Sequence, residues 1–456
     1  MGQDILAIDV GTSGLKLGLY APDLELRTSA SQEYEPELRE GGQADVHPET
    51  WWTAIASACH EVGPALAGVG VVSLSVTTPG LTPMAADGRP LGPAILFLDG
   101  RSHEQAAAIR ASFGEERFLA EACNLPVSGG SSLASILWIR DHRPDVWRRA
   151  AKFGHTNTYV AMRMTGRWAI DPSTTSITGL YATTRNDLTW NADVLEVAGL
   201  EHSRLPPLMH SFDPVGEMLP AVADELGVPR GAVVLCGGND AALAAWSGGL
   251  SEPGDANIIS GTCDIANVCT AEPLASAEFN VRAHVLPGRW LTFFVLNTGG
   301  VAYDWFHQAM CREMDAVEFY GEYLPSTLEA FLSDPDIAAR ERALPDYLPY
   351  LGGSRYSLEP QTASYSGVSL RTSREDLLLS MIRGNLRYLG THFAQVSRLV
   401  PVNHVVGISG GAARIRGMLE ARARWTGDYE YRFQDQSSML GAAMLGRIYQ
   451  HRTSRS

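Results

Sequence analysis

Two stretches of the chain share one plan, and that plan constrains the fold more than any other feature of the sequence. Residues 5–20 read ILAIDVGTSGLKLGLY, and residues 256–270 read ANIISGTCDIANVCT. Each stretch is an apolar run, a turn with Gly-Thr and a small residue, and a second apolar run, which predicts a β-hairpin. Two matching hairpins far apart in the chain indicate an internal duplication in which each copy opens a domain.

The length of the chain also favours two domains. At 456 residues it exceeds what one hydrophobic core normally serves. Strand-like and helix-like segments alternate, so we expect an α/β protein. The stretch SGGLSEPG has the composition of a boundary, and we predict an N-terminal domain of residues 1–246 and a C-terminal domain of residues 247–456. A long amphipathic helix is predicted over residues 374–399, with Ser373 as its N-cap.

Composition argues against several classes of partner. The chain has 36 Lys and Arg against 51 Asp and Glu, a net charge of −15, which disfavours nucleic acid and anionic membranes. It has no run of 18 apolar residues and no basic segment before its first strand, so we expect no membrane span and no secretory signal. Its six cysteines form no CxxC pair, which predicts reduced, mostly buried thiols and a cytoplasmic protein.

Glycine-bearing turns follow four of the apolar strands, with the sequences DVGTSG, CGGND, SGTCD and SGGAA. Such turns present backbone N–H groups, and helix starts add a positive dipole, so both suit phosphate. The chain has neither the GxxxxGK[ST] of a P-loop nor a GxGxxG that opens a helix after a strand. The four turns together predict a nucleotide held between two domains.

Three charged residues beside these turns are candidates for phosphoryl transfer, which needs a metal, a backbone cradle and a base. Asp9 ends the first strand and could hold Mg²⁺ through water, or simply form the turn. Lys16 could reach phosphate, or be a solvated strand lysine. Asp240 follows an apolar strand and two glycines; it is the candidate general base, although Asn239 or Asp240 could equally cap the next helix.

Other polar and aromatic residues have simpler interpretations. Thr77 and Thr78 offer hydroxyls at the predicted pocket, and Asp99 could pair with Arg101 to shape it. Asp171 precedes STTS and is predicted to cap a turn rather than to contact substrate. The adjacent tryptophans 51 and 52 on an early helix are predicted to pack in a core or a domain interface.

Seven segments, in order along nearly the whole chain, resemble the FGGY family of carbohydrate kinases, most closely its xylulose kinases. They are AIDVGTSGLKLGLY, GRPLGPAILFLDGR, RMTGRWAIDPSTTSITGLY, GGNDAALAAWSGGL, ISGTCDIANV, NTGGVAYDWF and GISGGAARIRGMLEARA. The resemblance implies two duplicated actin-like (ribonuclease H-like) ATPase domains around a deep cleft. The sugar would bind mostly to the first domain and ATP mainly to the second, and family resemblance also makes a homodimer possible.

The resemblance also assigns roles to residues. It implies that Asp240 is the general base and that Asp9 is linked to Mg²⁺. The residues that it implies for ATP and its phosphates are Gly11, Thr12, Ser13, Lys16, Gly261, Thr262, Gly300, Gly410 and Gly411. The residues predicted to bind substrate are Thr77, Thr78, Asp99 and Asp240.

The sequence departs from xylulose kinases on the sugar side. Thr78 and Pro79 stand where those enzymes carry a Met and a His that touch the sugar. Phe97 replaces the usual tryptophan, and Ala241 follows the base where Asn or Gln is common. The sequence therefore predicts an ATP-dependent kinase of a small sugar or polyol, xylulokinase-like. The open alternatives are another ketose, polyol or sugar acid (glycerol, ribulose or gluconate type) as substrate, or a nucleotide-gated binding protein with little turnover.

Overall fold

Both predicted hairpins form in the computed structural model, which describes residues 3–39, 42–354, 356–357 and 359–454. The chain divides into two compact units. The first unit comprises residues 1–247, 271–291 and 436–456, and the second comprises residues 248–270 and 292–435. A single boundary after residue 246 therefore does not capture two later segments, which fold with the first unit.

The strands of the described chain are short to medium in length. They are β1 Asp4–Val10, β2 Gly14–Tyr20, β3 Leu26–Glu33, β4 Glu37–Arg39, β5 Gln43–Val46, β6 Val69–Val76, β7 Gly80–Met84, β8 Ala94–Leu96, β9 Lys152–Gly154, β10 Pro214–Glu217, β11 Val233–Leu235, β12 Gly238–Asn239, β13 Ala256–Ser260, β14 Asp264–Thr270, β15 Asn280–Ala283, β16 Trp290–Leu296, β17 Asp346–Leu348, β18 Ser364–Ser366, β19 Val405–Ser409 and β20 Glu430–Phe433.

The α-helices alternate with these strands over most of the chain. They are α1 Pro48–Val62, α2 His103–Phe113, α3 Glu115–Ala122, α4 Ser132–His142, α5 Pro144–Arg149, α6 Thr156–Thr165, α7 Pro172–Thr175, α8 Ala192–Ala198, α9 Pro220–Leu226, α10 Asp240–Ser247, α11 Gly300–Met310, α12 Ala316–Glu318, α13 Leu324–Leu332, α14 Ile337–Ala343, α15 Arg374–Val396, α16 Met418–Trp425 and α17 Ser438–Thr453.

The main sheet of the first unit brings the ends of three strands together. Its order is β10-β11-β6-β1-β2-β3, and β12 also pairs with β6. β1 runs antiparallel to β2 but parallel to β6, and β12 runs parallel to β6. The carboxyl ends of β1, β6 and β12 therefore lie at one edge, where α/β sheets commonly bind ligands. Gly11, Thr77 and Asp240 are the residues that directly follow these three strands.

The C-terminal helix α17 completes the core of the first unit. It packs on β1, β6 and α10, and small residues on its face allow the close approach. A Cβ atom on Gly446 would lie 2.6 Å from the side chain of Ile5. The predicted packing of Trp51 and Trp52 is confirmed, because both are buried in the core of this unit, with Arg163 stacked over Trp52.

The second unit repeats the plan of the first. Within it the sheet order is β16-β14-β13-β19-β20, with β13 antiparallel to β14 and parallel to β19. β1 has the same two kinds of neighbour in the first unit, which confirms the duplication at the level of topology. The predicted long helix is α15, which begins after a capping box of Ser373 and Asp376 and ends at Val396.

Two further expectations concern membrane spans and the state of the cysteines. No helix in the described ranges combines the length and the hydropathy that crossing a bilayer requires. The six cysteines, all within the described ranges, form no disulfide, and all but the half-buried Cys263 are buried.

Candidate active site

Asp240 begins helix α10 at the edge of the main sheet of the first unit. Its Oδ1 accepts hydrogen bonds from the Ala241 amide, at 2.7 Å, and from Asn239 Nδ2, at 2.8 Å. Among the described residues, nothing donates a hydrogen bond to its Oδ2. The residue is only partly buried, so one carboxylate oxygen is available to a ligand. This geometry suits a group that must accept a proton from a bound molecule.

The surroundings of Asp240 favour its neutral form. The pKa of this carboxyl is raised to about 7, chiefly by burial and next by the negative charge of Asp9. The Arg282 charge and the hydrogen bonds from Ala241 and Asn239 oppose the rise in pKa. A base with a pKa near the working pH has the best balance between being deprotonated and binding a proton strongly.

Asn239 is the N-cap of helix α10, which answers the question of which residue caps it. Its Oδ1 accepts from the Ala242 amide at 3.0 Å. Its Nδ2 donates to Thr78 Oγ1 at 2.7 Å as well as to Asp240. Asn239 thus caps the helix and leaves the Asp240 carboxylate for another role.

A buried serine and carboxylate hold the backbone of the same turn. The Asn239 amide donates to Ser173 Oγ at 2.9 Å, and the Ser173 hydroxyl donates to Asp171. Asp171 also accepts from the Ser173 amide at the start of α7 and from Ser211 Oγ, at 3.0 Å. The prediction that Asp171 is a cap is confirmed, and this cap also fixes the turn that carries Asp240.

Asp9 lies near the end of β1, with each carboxylate oxygen bound by a serine. Ser75 Oγ donates to Oδ1 at 2.6 Å, and Ser438 Oγ donates to Oδ2 at 2.7 Å. Burial raises the pKa of Asp9, against the effect of these hydrogen bonds and of the Lys16 charge. Lys16 is the direct antiparallel partner of Asp9 across the β1–β2 hairpin, and its side chain is exposed.

The oxygen ligands around Asp9 fit a Mg²⁺ ion that keeps most of its coordinated water. Carboxylate oxygen is a hard ligand, which Mg²⁺ prefers. The described residues include no cluster of three or more His, Cys, Asp or Glu that could hold a metal by itself. A single aspartate is consistent with an ion whose other ligands are water and substrate phosphate oxygens.

The remaining first-unit candidates lie around the same sheet edge or beside it. Thr12 Oγ1 and Thr77 Oγ1 are 3.1 Å apart, and the Tyr34 hydroxyl donates to the Gly11 carbonyl at 2.7 Å. Ser13 is exposed in the turn between β1 and β2. The turn is thus held at Gly11 and Thr12, whereas Ser13 is open to solvent.

Asp99 forms the predicted pair with Arg101, at 2.7 Å. Its side chain is fully buried, and Oδ2 also accepts from the Ala44 amide at 2.7 Å. Arg101 in turn reaches Asp45 at 2.5 Å. Both carboxylate oxygens of Asp99 thus bind neighbouring protein groups and stabilise this part of the chain. Contact between Asp99 and substrate stays a prediction.

In the second unit, three predicted glycine turns meet at the edge of its sheet. The Gly300 amide donates to the Gly261 carbonyl at 2.7 Å, and the Gly299 amide donates to the Thr262 carbonyl at 3.0 Å. Gly410 has a φ of +96°, and a Cβ atom on it would overlap the Ser260 backbone. The turns can approach so closely only because glycine lacks a side chain.

This arrangement fits a phosphate-bearing ligand. Helix α11 begins at Gly300, so its N-terminal dipole and amides are at the same place as the turns. Thr262 and Gly411 are exposed there. A Cβ atom at Gly300 would lie 2.9 Å from the Gly261 carbonyl, and such a contact would force the turns apart.

A buried ion pair supports one of these turns from below. Arg422 on α16 donates to Ser260 Oγ at 2.5 Å and contacts Asp264 Oδ2 at 3.3 Å. Ser260 Oγ donates to Asp264 Oδ1 at 2.9 Å. Burial raises the pKa of Asp264, and the Arg422 charge opposes that rise. The pair ties β13, β14 and α16 together beside Gly261.

Sequence reasoning missed four residues that the structure places around Asp9 and Asp240. Ser75, Ser438 and Arg282 carried no motif, and Asn239 was considered only as a cap. The position of Asn239 next to the candidate base was a usable signal, since an Asn side chain can both donate and accept hydrogen bonds. Ser438 and Arg282 had no such signal, because each reaches the first unit from a distant part of the chain.

Comparison with known proteins gives one family match and several full-length relatives. The family model described as the N-terminal domain of the FGGY family of carbohydrate kinases matches residues 5–247. The xylulose kinase of Staphylococcus xylosus is 23% identical over 455 residues, covering 97% of this chain and 90% of the relative. The xylulose kinase of Escherichia coli (strain K12) is 26% identical over 451 residues, covering 97% and 89%.

Solved structures agree with the fold. A gluconate kinase from Lactobacillus acidophilus has a TM-score of 0.89 at 19% identity, covering 98% of this chain and 89% of the other. The predicted α/β fold, with its duplicated plan in two units, is thereby confirmed.

Proposed function

Because this chain belongs to the FGGY family of carbohydrate kinases, we propose that it transfers the γ-phosphate of ATP to a hydroxyl group of a small sugar or polyol, with Asp240 as the general base. The observation that carries the proposal is the Asp240 carboxylate. It lies at the edge of the sheet where the carboxyl ends of β1, β6 and β12 meet, with one oxygen available and a pKa raised to about 7, chiefly by burial.

The proposed reaction is a single in-line transfer. Asp240 accepts the proton of the substrate hydroxyl as the oxygen forms a bond to the γ-phosphorus. The bond between that phosphorus and the bridging oxygen of ADP breaks, and the pair of electrons stays on ADP. The products are a sugar or polyol phosphate monoester, ADP and one proton, which leaves Asp240 for solvent.

The other predicted residues have supporting roles in this proposal. Asp9 would hold Mg²⁺, and the ion supplies positive charge to the phosphate oxygens when it is bound. Gly11, Thr12, Ser13 and Lys16 would contact phosphate from the first unit. In the second unit the residues proposed for ATP are Gly261, Thr262, Gly300, Gly410 and Gly411.

The substrate is proposed as a class rather than as one molecule. Thr77 and Thr78 follow β6 at the same edge as Asp240, and Thr78 accepts a hydrogen bond from Asn239, so both hydroxyls are candidates for substrate contact. Pro79 has no side-chain hydrogen-bond donor, so this pocket differs from one in which a histidine binds the sugar. We therefore include ketoses other than xylulose, polyols and sugar acids as candidates.

A coupled assay of ADP release over a panel of ketoses, polyols and sugar acids tests the proposal. We expect at least one compound to raise ADP release well above the background, and excess chelator to abolish that increase. Asp240→Asn should lower kcat about 100-fold or more while ATP still binds, because the amide cannot accept the proton. Asp23→Asn, in an exposed turn, is the matched control and should behave as the wild type.

Two results would contradict the proposal. If no compound raises ADP release above the background, the kinase activity is refuted, and a nucleotide-gated binding protein becomes the better hypothesis. If Asp240→Asn turns over normally, Asp240 has no part in the chemistry.

A further inference from the structure

Arg282 reaches the candidate active site from outside the region that matches the family model. It lies on β15, in the segment 271–291 that folds with the first unit. The strand is fixed on both sides of Arg282. The Val281 amide donates to Asn124 Oδ1 at 2.9 Å, and the Ala283 amide donates to Ser176 Oγ at 2.8 Å. These bonds set the position of Arg282 relative to the rest of the first unit.

The Arg282 side chain contacts the residue that holds Asp240. Its Nη1 donates to Asn239 Oδ1 at 2.5 Å and lies 3.5 Å from Thr78 Oγ1. Asn239 Oδ1 thus accepts from both Arg282 and the Ala242 amide, which only the oxygen end of the amide can do. The nitrogen end must then face Thr78 and Asp240, so Arg282 and the Ala242 amide together fix which end of Asn239 meets the candidate base.

Arg282 also affects Asp240 through its charge. The positive charge lowers the pKa of Asp240, against burial and against the negative charge of Asp9. Asp9 and Arg282 are the charged groups whose interactions with Asp240 contribute to its pKa. Removal of the guanidinium would therefore leave Asp240 protonated up to a higher pH.

We propose that Arg282 is a positioning residue for Asp240: it orients the Asn239 amide that binds the carboxylate, and it supplies the positive charge that stabilises the ionised base. The proposal rests on the proposed role of Asp240, but its electrostatic part can be measured without any substrate. A purely structural arginine would support β15 and leave the proton equilibrium of Asp240 unchanged.

A thermal double-mutant cycle measures that equilibrium in the unliganded protein. The four proteins are the wild type, Asp240→Asn, Arg282→Met and the double variant, each melted from about pH 5 to pH 9. A raised pKa in the folded state means that ionisation of Asp240 costs stability as pH increases. Asp240→Asn should therefore raise Tm progressively with pH, and this gain should reach its plateau about one pH unit higher when Arg282 is Met.

Kinetic assays of Arg282 variants separate the effect of charge from that of orientation. They use the best substrate of the ADP-release panel. Arg282→Met should lower kcat about tenfold or more, with the KM for ATP within about twofold of the wild type, as expected for a group that acts through the base. Arg282→Lys keeps the charge and should recover part of kcat. Arg89→Met, which removes an exposed arginine from a turn of the same unit, is the control and should leave both readouts unchanged.

The outcomes separate this inference from the proposed function. If Asp240→Asn gives the same pH-dependent gain in Tm in both backgrounds, the inference is overturned whatever the activity of the protein. If Asp240→Asn is inactive and Arg282→Met is fully active, the proposed base stands and Arg282 does not position it. Should Arg282→Met fail to fold, Arg282→Lys takes its place. A wild-type kcat in Arg282→Lys overturns the orienting role. A reduced kcat, with the pH dependence of the Tm gain from Asp240→Asn unshifted, supports that role.

Discussion

At the scale of single residues, the adjacent Asn239 and Asp240 have different roles in the candidate site. Asn239 caps helix α10 through its Oδ1, so Asp240 is not needed as the cap. The Asp240 carboxylate instead keeps one oxygen available, and its pKa is raised to about 7, chiefly by burial. A motif of Asn followed by Asp after two glycines thus serves both helix initiation and the proposed chemistry.

The raised pKa of Asp240 gives a pH dependence with a definite sign. The base acts only when ionised, so kcat/KM should be level above about pH 7 and fall about tenfold per unit below it. Initial rates from about pH 5 to about pH 9, at saturating Mg-ATP and varied substrate, check this. The residual activity of Asp240→Asn should lack this acidic limb. A limb that persists in that variant would assign the titration to another group.

At the scale of elements, the second unit uses a buried ion pair where the first unit uses serines. In the first unit, Ser75 and Ser438 bind Asp9 at the β1–β2 hairpin. In the second unit, Arg422 from α16 binds Ser260 and Asp264 at the β13–β14 hairpin, and all three side chains are buried. The duplicated hairpins therefore share topology but differ in what supports the turn.

The Asp264–Arg422 pair predicts a non-additive effect on stability. Arg422→Met should lower the free energy of unfolding by about 3–5 kcal/mol, because it leaves a buried carboxylate without its partner. Adding Asp264→Asn should recover part of that loss, since no charge is then buried. Urea unfolding of the two single variants and the double variant measures the coupling. Additive losses would show that the two side chains do not stabilise each other.

At the scale of the whole molecule, the first unit is assembled from three parts of the chain. The body of the unit is residues 1–247, and β15 and α17 join it later in the sequence. β15 supplies Arg282 and α17 supplies Ser438, so the surroundings of Asp240 and Asp9 are complete only when the C-terminal helix has docked. The resemblance leaves a homodimer possible, and sedimentation velocity would test for one.

The docking of α17 predicts a sensitive position far from the candidate site. Gly446→Val should lower stability by about 1–3 kcal/mol, because its Cβ atom would meet Ile5 on β1 in a closely packed core. His451→Ala, on the exposed end of the same helix, is the control and should leave the melting temperature unchanged within error. Thermal melts of both variants are the measurement. Equal melting temperatures for Gly446→Val and the wild type would mean that the interface adapts.

The sequence by itself determined the class of fold, the duplicated hairpins and those candidate residues that stand in a local pattern. Asp9, Asp240 and the glycine turns could be identified because a strand, a glycine turn and a polar residue are consecutive in the chain. The cap at Asp171 and the capping box at Ser373 were predictable for the same reason, since hydrogen bonds to a helix start join residues only a few positions apart.

Only the tertiary structure decided which residues surround Asp240 and Asp9. Arg282, Ser438 and Ser173 reach them through contacts between segments that are far apart in sequence. The departures at Thr78 and Pro79 were visible in the sequence, but the bond from Asn239 to Thr78 was not. Local pattern cannot reveal such contacts, because they depend on how sheets and helices pack rather than on the preferences of neighbouring residues.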